Sequence, residues 1–279
     1  MKIALLISGR AVRYDACLLP ALNNSTNHSI DVFMSLNDEH SDCLYYQVLK
    51  ERMGSYLKGC VIQKYIIHDE IVQLFNPTDS ISHTKTQINL TKVNGKFLPY
   101  HPLSMYYNDT NAFHMACEYA DKNNFEYDIY MKFRADIIID KIPDNLPFIN
   151  HDIHLHSAYP LCDFISRGLF NKPIICDSFA YGNRKTMNIF CNTYSYVLQK
   201  NKLYNGLYYI NYEDSLTDNI YENNVPHTIF KFPYELDANR RMFDDNSETT
   251  IDEFFGQDSS IRMKITDPRS INYIPPIKQ

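Results

Sequence analysis

The chain has 279 residues, 44% of them hydrophobic and 22% charged, which excludes a disordered or coiled-coil polypeptide and suits one large globular domain, with or without a tail. Against 33 Asp and Glu stand 27 Lys and Arg, a net charge of −6 with no dense basic stretch, so nucleic acid is not an expected partner. The run "IALLI" is too short for a signal-peptide core or a bilayer span, and the seven scattered Cys, odd in number and without a CxxC pair, read as reduced thiols of a cytoplasmic protein with no transmembrane segment.

"KIALLIS" (2–8) is a continuous apolar run ending at Gly9, the pattern of a strand buried on both faces, and "DACLLPALNN" behind it is helix-like as far as its proline. "DVFMSLN" (31–37) predicts the next strand, "SDCLYYQVLKERMGSYL" (41–57) a helix, and "CVIQKYIIHD" (60–69) a third strand. This alternation predicts a parallel α/β sheet with right-handed crossovers. Residues 76–104 are polar, carry Pro and the turn "NG", and read as a hairpin or an excursion over a site. A helix follows over 105–124 with Ala112, Phe113, Ala116, Tyr119 and Ala120 on one side. "YDIYMKFRADIIID" (127–140) is expected to be a strand at the centre of the sheet. "DIHLHS" (152–157) alternates as a strand does, 173–198 reads as strand, loop and helix, and 213–225 as an acidic-led helix before the strand-like "HTIFKFPYEL". From about residue 245 the chain is polar and irregular, the character of a tail wrapped over the body.

Four stretches carry chemistry. "SGRAVR" ends the first strand, where open α/β sheets place their ligand crevice; Gly9 permits close backbone approach, and Arg10 and Arg13 offer forked donors to a diphosphate or carboxylate. The plainer reading is a glycine turn with two solvated arginines. In "KFRADIIID" the side chains of Lys132, Arg134 and Asp136 share one strand face, a costly row unless they bind each other, a ligand or a metal; Asp136 is an oxygen ligand suited to Mg²⁺ or Mn²⁺, or else the partner of Lys132 or Arg134. Asp177 follows an apolar run and either meets an acceptor, acts as a base, or caps the next turn. Glu213 and Asp214 stand before a helix, as caps or as a general base for an acceptor hydroxyl. His154 and His156 share a strand face without any metal motif and read as satisfied core histidines, and no GxSxG elbow is present.

Taken together, "KIALLISGRAVR", "DVFMSLN", "YDIYMKFRADIIID" and "EDSLTDNIYENNV" resemble a family of sugar-nucleotide-dependent glycosyltransferases from bacterial surface-polysaccharide loci and from large DNA viruses of algae and protists. Those proteins open on a strand ending in SGxxR, continue to a "DVF" strand and carry a "YD…KxRxD" strand. The resemblance implies a GT-A-like α/β domain over residues 1–245, with a Rossmann-like, mostly parallel sheet flanked by helices, and a C-terminal extension over 246–279 packed on it. It implies that Ser8, Gly9, Arg10, Arg13, Lys132 and Arg134 line the site of a nucleoside-diphosphate sugar, a UDP-sugar before a GDP-sugar. Arg134 and Asp136 would replace the usual DxD, leaving Asp136 as the evident metal carboxylate for Mn²⁺ or Mg²⁺. Glu213 and Asp214 look like the "ED" that supplies the base in inverting enzymes, with Asp177 in reserve, and the acceptor would be a glycan hydroxyl. The Asn, Tyr, Ile and Lys bias is compatible with an AT-rich viral genome, which would place the protein in the host cytoplasm. A sulfotransferase would show a phosphate-cradling loop with Lys or Thr that "SGRAVR" lacks, and a non-catalytic glycan- or nucleotide-binding protein would keep the fold without turnover.

Overall fold

The computed structural model describes residues 1–9, 14–38, 43–64, 91–93, 96–98, 100–134, 137–146, 151–157, 175–203, 213–230 and 235–236. Arg10, Arg13, Asp136, most of 76–104 and the whole 246–279 extension lie outside the described residues.

The first strand, β1 (Lys2–Gly9), is buried from Ile3 to Ile7 and leaves the sheet at Gly9, whose φ of +86° is a left-handed value that favours glycine. A π-helical turn (Tyr14–Leu18) leads into α1 (Leu19–Asn24). Pro20 does not end this helix as its sequence suggests: it sits in the first turn, where a missing N–H costs nothing. Then come β2 (Ser29–Asp38), α2 (Cys43–Met53) and β3 (Leu57–Lys64). All are joined in parallel, β1 to β2 and β2 to β3, as the strand–helix alternation predicts.

Two short strands, β4 (Thr91–Val93) and β5 (Lys96–Leu98), pair antiparallel about the Asn-Gly sequence. The long helix α3 (Tyr100–Lys122) starts five residues before its apolar period becomes legible, with Pro102 again in a first turn. Its predicted inner face is buried at Ala112, Phe113, Ala116 and Ala120, with Tyr119 packed against it.

The stretch 127–140 is not one strand. Strand β6 (Ile129–Phe133) takes the centre of the sheet beside β1, but it ends before Arg134, and the Ile137 N–H donates to the Arg134 carbonyl at 3.1 Å to close a turn. Ile137 and Ile138 form β7 (Ile137–Ile138), which pairs with β11 (Glu235–Leu236) in a small separate ribbon. The strict alternation of Lys132, Arg134 and Asp136 on one strand face therefore stops at Lys132 as far as the strand itself reaches.

Strands β8 (Ile153–Ser157), β9 (Ile175–Gly182) and β10 (His227–Phe230) complete a seven-stranded sheet in the order β10, β8, β9, β6, β1, β2, β3. Four pairings among the described residues are parallel, and the two made by β9 are antiparallel. Helices α4 (Arg184–Cys191), α5 (Thr193–Leu203) and α6 (Asp214–Glu222) join α3 on one face, over Ala4, Leu6, Phe33 and Tyr130. On the other face Ile3, Leu5, Val32, Met34, Ile129 and Met131 pack against Tyr14, Leu18, Leu49 and Met53. The fold is thus α/β with a mostly parallel mixed sheet between helical layers, in agreement with the sequence reading.

Between β9 and α4 there is no loop beyond Asn183, whose side chain caps the helix by accepting from the Thr186 N–H at 2.9 Å. Replacing Asn183 by Ala is expected to cost about 1 kcal/mol in urea unfolding, because the cap oxygen is lost while the α4 face buried by Met187 and Phe190 is kept.

Candidate active site

The parallel strands β1, β2 and β6 end together at one edge of the sheet, and antiparallel β9 begins there, since Phe133 pairs with Phe179 and Lys132 with Ala180. The carboxyl edge of such a sheet is where ligands bind in α/β proteins. It follows that Ser8, Gly9, Lys132, Arg134 and Asp177 all belong to one neighbourhood, although they come from three separate stretches of sequence.

Helix α3 crosses beneath this edge and brings polar side chains to it. Asp109, 4% exposed, accepts from the Ser8 hydroxyl at 2.5 Å through Oδ1 and from the Lys132 ammonium at 3.0 Å through Oδ2. Lys132 is itself 1% exposed, so this is a buried ion pair joining the ends of β1 and β6 to the helix. One turn toward the start of α3, Ser104 and Asn108 both donate to the Asn37 side-chain oxygen, at 2.9 and 2.8 Å, and Ser35 donates to the Asn108 oxygen at 2.8 Å. The end of β2 is fastened to the same helix by uncharged groups.

Burial pushes the Asp109 carboxyl above the ordinary carboxylate range; Lys132 and the Ser8 hydroxyl pull it back, and the charge of Asp177 pushes it up again. Asp177 lies within the strand rather than after it and is mostly buried, facing Arg134 at 3.6 Å. Next to Asp177, the Cys176 thiol lies 2.8 Å from the Ser178 hydroxyl.

Glu213 stands at the N-cap of α6, yet its side chain makes no capping hydrogen bond. The capping alternative for this residue is therefore not what the structure has. Its carboxyl is pushed up to about 7, first by burial and next by the charge of Asp177, with Asp214 adding to the rise and Arg134 opposing it. Asp177, Arg134, Glu213 and Asp214 consequently share one electrostatic neighbourhood. Asp214 occupies the first turn of α6, where the helix dipole favours a negative charge.

Of the sequence-derived candidates, Ser8, Gly9, Lys132, Arg134, Asp177, Glu213 and Asp214 are brought to this edge or to the start of α6 beside it, while Arg10, Arg13 and Asp136 lie outside the described residues. Lys132 is buried against Asp109, and Arg134 meets Asp177. Among the described residues no group of three His, Cys, Asp or Glu converges as a metal site. Asp177 faces the Arg134 guanidinium at 3.6 Å, and Asp136, the carboxylate expected to hold a cation, lies outside the described residues. Asp109 was absent from the sequence-level candidates. Its signal was present: it precedes Ala112 and Phe113 by one helical turn, which puts an acid on the apolar face of α3.

No protein-family model and no curated protein matches this sequence. Among solved structures, mouse xyloside xylosyltransferase 1 in its apo form is similar over 82% of this chain and 85% of its own, at 11% identity and a TM-score of 0.41. A glycosyltransferase involved in the glycosylation of the major capsid of PBCV-1 is similar over 83% of this chain and 82% of its own, at 12% identity and a TM-score of 0.35. At these scores the likenesses add nothing to the fold assignment, which rests on the sheet itself. The described cysteines Cys17, Cys60, Cys117, Cys176 and Cys191 are free thiols, and among the described residues no helix is long and apolar enough to cross a membrane.

The raised Glu213 carboxyl has a consequence for stability. The folded state binds the Glu213 proton more tightly than the unfolded chain does, so its contribution is present at low pH and is lost as pH rises from the ordinary value of 4.5 through about 7. Glu213→Gln removes that dependence. Its melting temperature relative to the parent protein is expected to climb across this interval and level off above it, a trend that thermal melts at a series of pH values will follow.

Proposed function

We propose that this protein is a glycosyltransferase that moves a sugar from a nucleoside-diphosphate sugar, a UDP-sugar first, to a hydroxyl of a glycan acceptor with inversion at the anomeric carbon. The observation that carries the reading is the half-buried Glu213, poised near neutrality beside the Arg134–Asp177 pair at the carboxyl edge of the parallel strands. The "SGRAVR" and "KFRAD" motifs support it through the family they resemble.

In the reaction, the acceptor oxygen forms a bond to the anomeric carbon as the bond from that carbon to the diphosphate oxygen breaks. The electron pair leaves with the nucleoside diphosphate, and the acceptor's proton passes to a carboxylate. Glu213 is the preferred base, because a group with a pKa of about 7 is deprotonated often enough at neutral pH and still accepts a proton with useful driving force. Asp214 is its neighbour in this role, and Asp177 stands in reserve with its charge tied to Arg134. Negative charge grows on the leaving diphosphate; Arg134 is the described cation placed to meet it, Gly9 leaves room for close backbone approach, and Arg10 and Arg13 follow directly in sequence. Lys132, 1% exposed and neutralised by the Asp109 carboxylate, braces the site rather than adding net charge to it. A divalent cation, if bound, would be held by Asp136 and would supply further charge neutralisation.

Product formation measured with a panel of UDP- and GDP-sugars, with glycan acceptors, and in Mn²⁺, Mg²⁺ or EDTA, tests the reading. Diphosphate release that depends on acceptor is the expected result, and binding of UDP without release under any condition leaves a glycan- or nucleotide-binding protein instead. Glu213→Gln is expected to lower kcat by roughly 10²- to 10⁴-fold while UDP affinity stays within twofold, the range for loss of a positioned base. In the parent enzyme kcat/KM should rise with pH up to about 7 and then flatten, because Glu213 works in its deprotonated form.

A further inference from the structure

We propose that Asp109 is a positioning residue for this site: its buried carboxylate, shared between the Ser8 hydroxyl and the Lys132 ammonium, fixes the ends of β1 and β6 relative to each other and thereby sets where the donor diphosphate is held. This inference rests on the transferase reading for its link to the diphosphate, but the mechanical part of it is independent of any ligand.

The geometry is specific. Asp109 uses one oxygen for each strand, so neither strand end can shift without leaving a charged oxygen or an ammonium unpaired in a site that is nearly closed to water. Ser8 immediately precedes Gly9, the last residue of β1, with Arg10 and Arg13 next in sequence, and Lys132 lies two residues before Arg134. A single carboxylate on a third element therefore controls the departure points of both segments that carry the candidate phosphate-binding groups. Helix α3 suits this task because it is 23 residues long and is anchored elsewhere by Phe113, Ala116 and Ala120, so that Asp109 is presented from a rigid support. Asp109 itself is too deeply buried to touch substrate, which distinguishes it from Arg134 and Glu213.

The experiment compares the full-length protein with Ser8→Ala and Asp109→Asn. Ser8→Ala keeps the ion pair but leaves the buried Asp109 Oδ1 without its donor, so its melting temperature is expected to fall by a few degrees, less than that of Asp109→Asn, which leaves the Lys132 ammonium buried without a counter-charge. The amides of Ser8 and Gly9 should exchange hydrogen faster, by a factor at least about fivefold larger than any change at Ile3 to Ile7, as fits the local loss of one hydrogen bond to a charged group. In turnover, Asp109→Asn, at a residue too buried to touch the donor, should raise the donor KM by about fivefold or more with kcat of the active fraction within twofold, whereas for Ser8→Ala, itself a candidate donor contact, the exchange rates carry the test. An Asp109 that serves folding alone would lower the active fraction only, scaling kcat at a fixed KM. That pattern, or unchanged exchange at Ser8 and Gly9 in both variants, overturns the proposal. If the parent protein turns over no nucleotide sugar, the transferase reading fails on its own, while the exchange rates still decide whether Asp109 fixes the strand ends.

Discussion

Everything at the carboxyl edge of the sheet depends on one buried ion pair. Lys132 on the central strand and Asp109 on α3 are both almost fully withdrawn from water, 3.0 Å apart. Such a pair gains little net stability over apolar residues of the same size, but breaking it by removing one partner costs about 3–5 kcal/mol, since the remaining charge is left without water or counter-charge. With total stabilities of about 5–15 kcal/mol, that penalty is large enough to exclude other docking positions of α3. The pair thus acts less as a source of stability than as a constraint on geometry.

The constraint propagates sideways. Once Asp109 is fixed, Ser104 and Asn108 fall over the end of β2, where they meet Asn37 and Ser35, and the ends of three adjacent parallel strands are tied to one helix by side-chain hydrogen bonds. The antiparallel direction of β9 is the second requirement. Because it starts where its neighbour β6 finishes, Asp177 arrives beside Arg134, and the charge of Asp177 then helps to hold Glu213 near neutrality from across the gap to α6. The candidate base and the candidate phosphate-binding cation are coupled through a carboxylate that need not react with either substrate.

Much of this was legible in the sequence, and the failures have definite causes. The continuous apolar runs of β1 and β2 and the helical period of α3 pointed to buried parallel strands and a long helix, because burial on both faces leaves no other pattern. The two prolines misled at helix starts, where a missing N–H is harmless, and the run of isoleucines after Arg134 hid a turn that divides an apparent strand in two. Strand direction is not encoded in alternation at all, so the antiparallel β9 and the meeting of Asp177 with Arg134 were out of reach. The charges in "KFRAD" did announce a polar site, but their partners came from α3 and β9, and only Asp109 left a trace, as an acid on an otherwise apolar helix face. Glu213 was visible as a residue before a helix; its shifted carboxyl depends on burial and on Asp177, which no local pattern reports.

The central claim is that the carboxyl edge of β1 and β6, and no other surface, receives the donor nucleotide. Amide chemical-shift mapping during titration of the full-length protein with UDP tests it most directly. The account predicts that the largest changes fall on Gly9, Arg134, Asp177 and Glu213, with little response at the opposite edge around Ser29 and Asp128. Changes concentrated at that opposite edge, with the carboxyl edge unmoved at saturation, would contradict it.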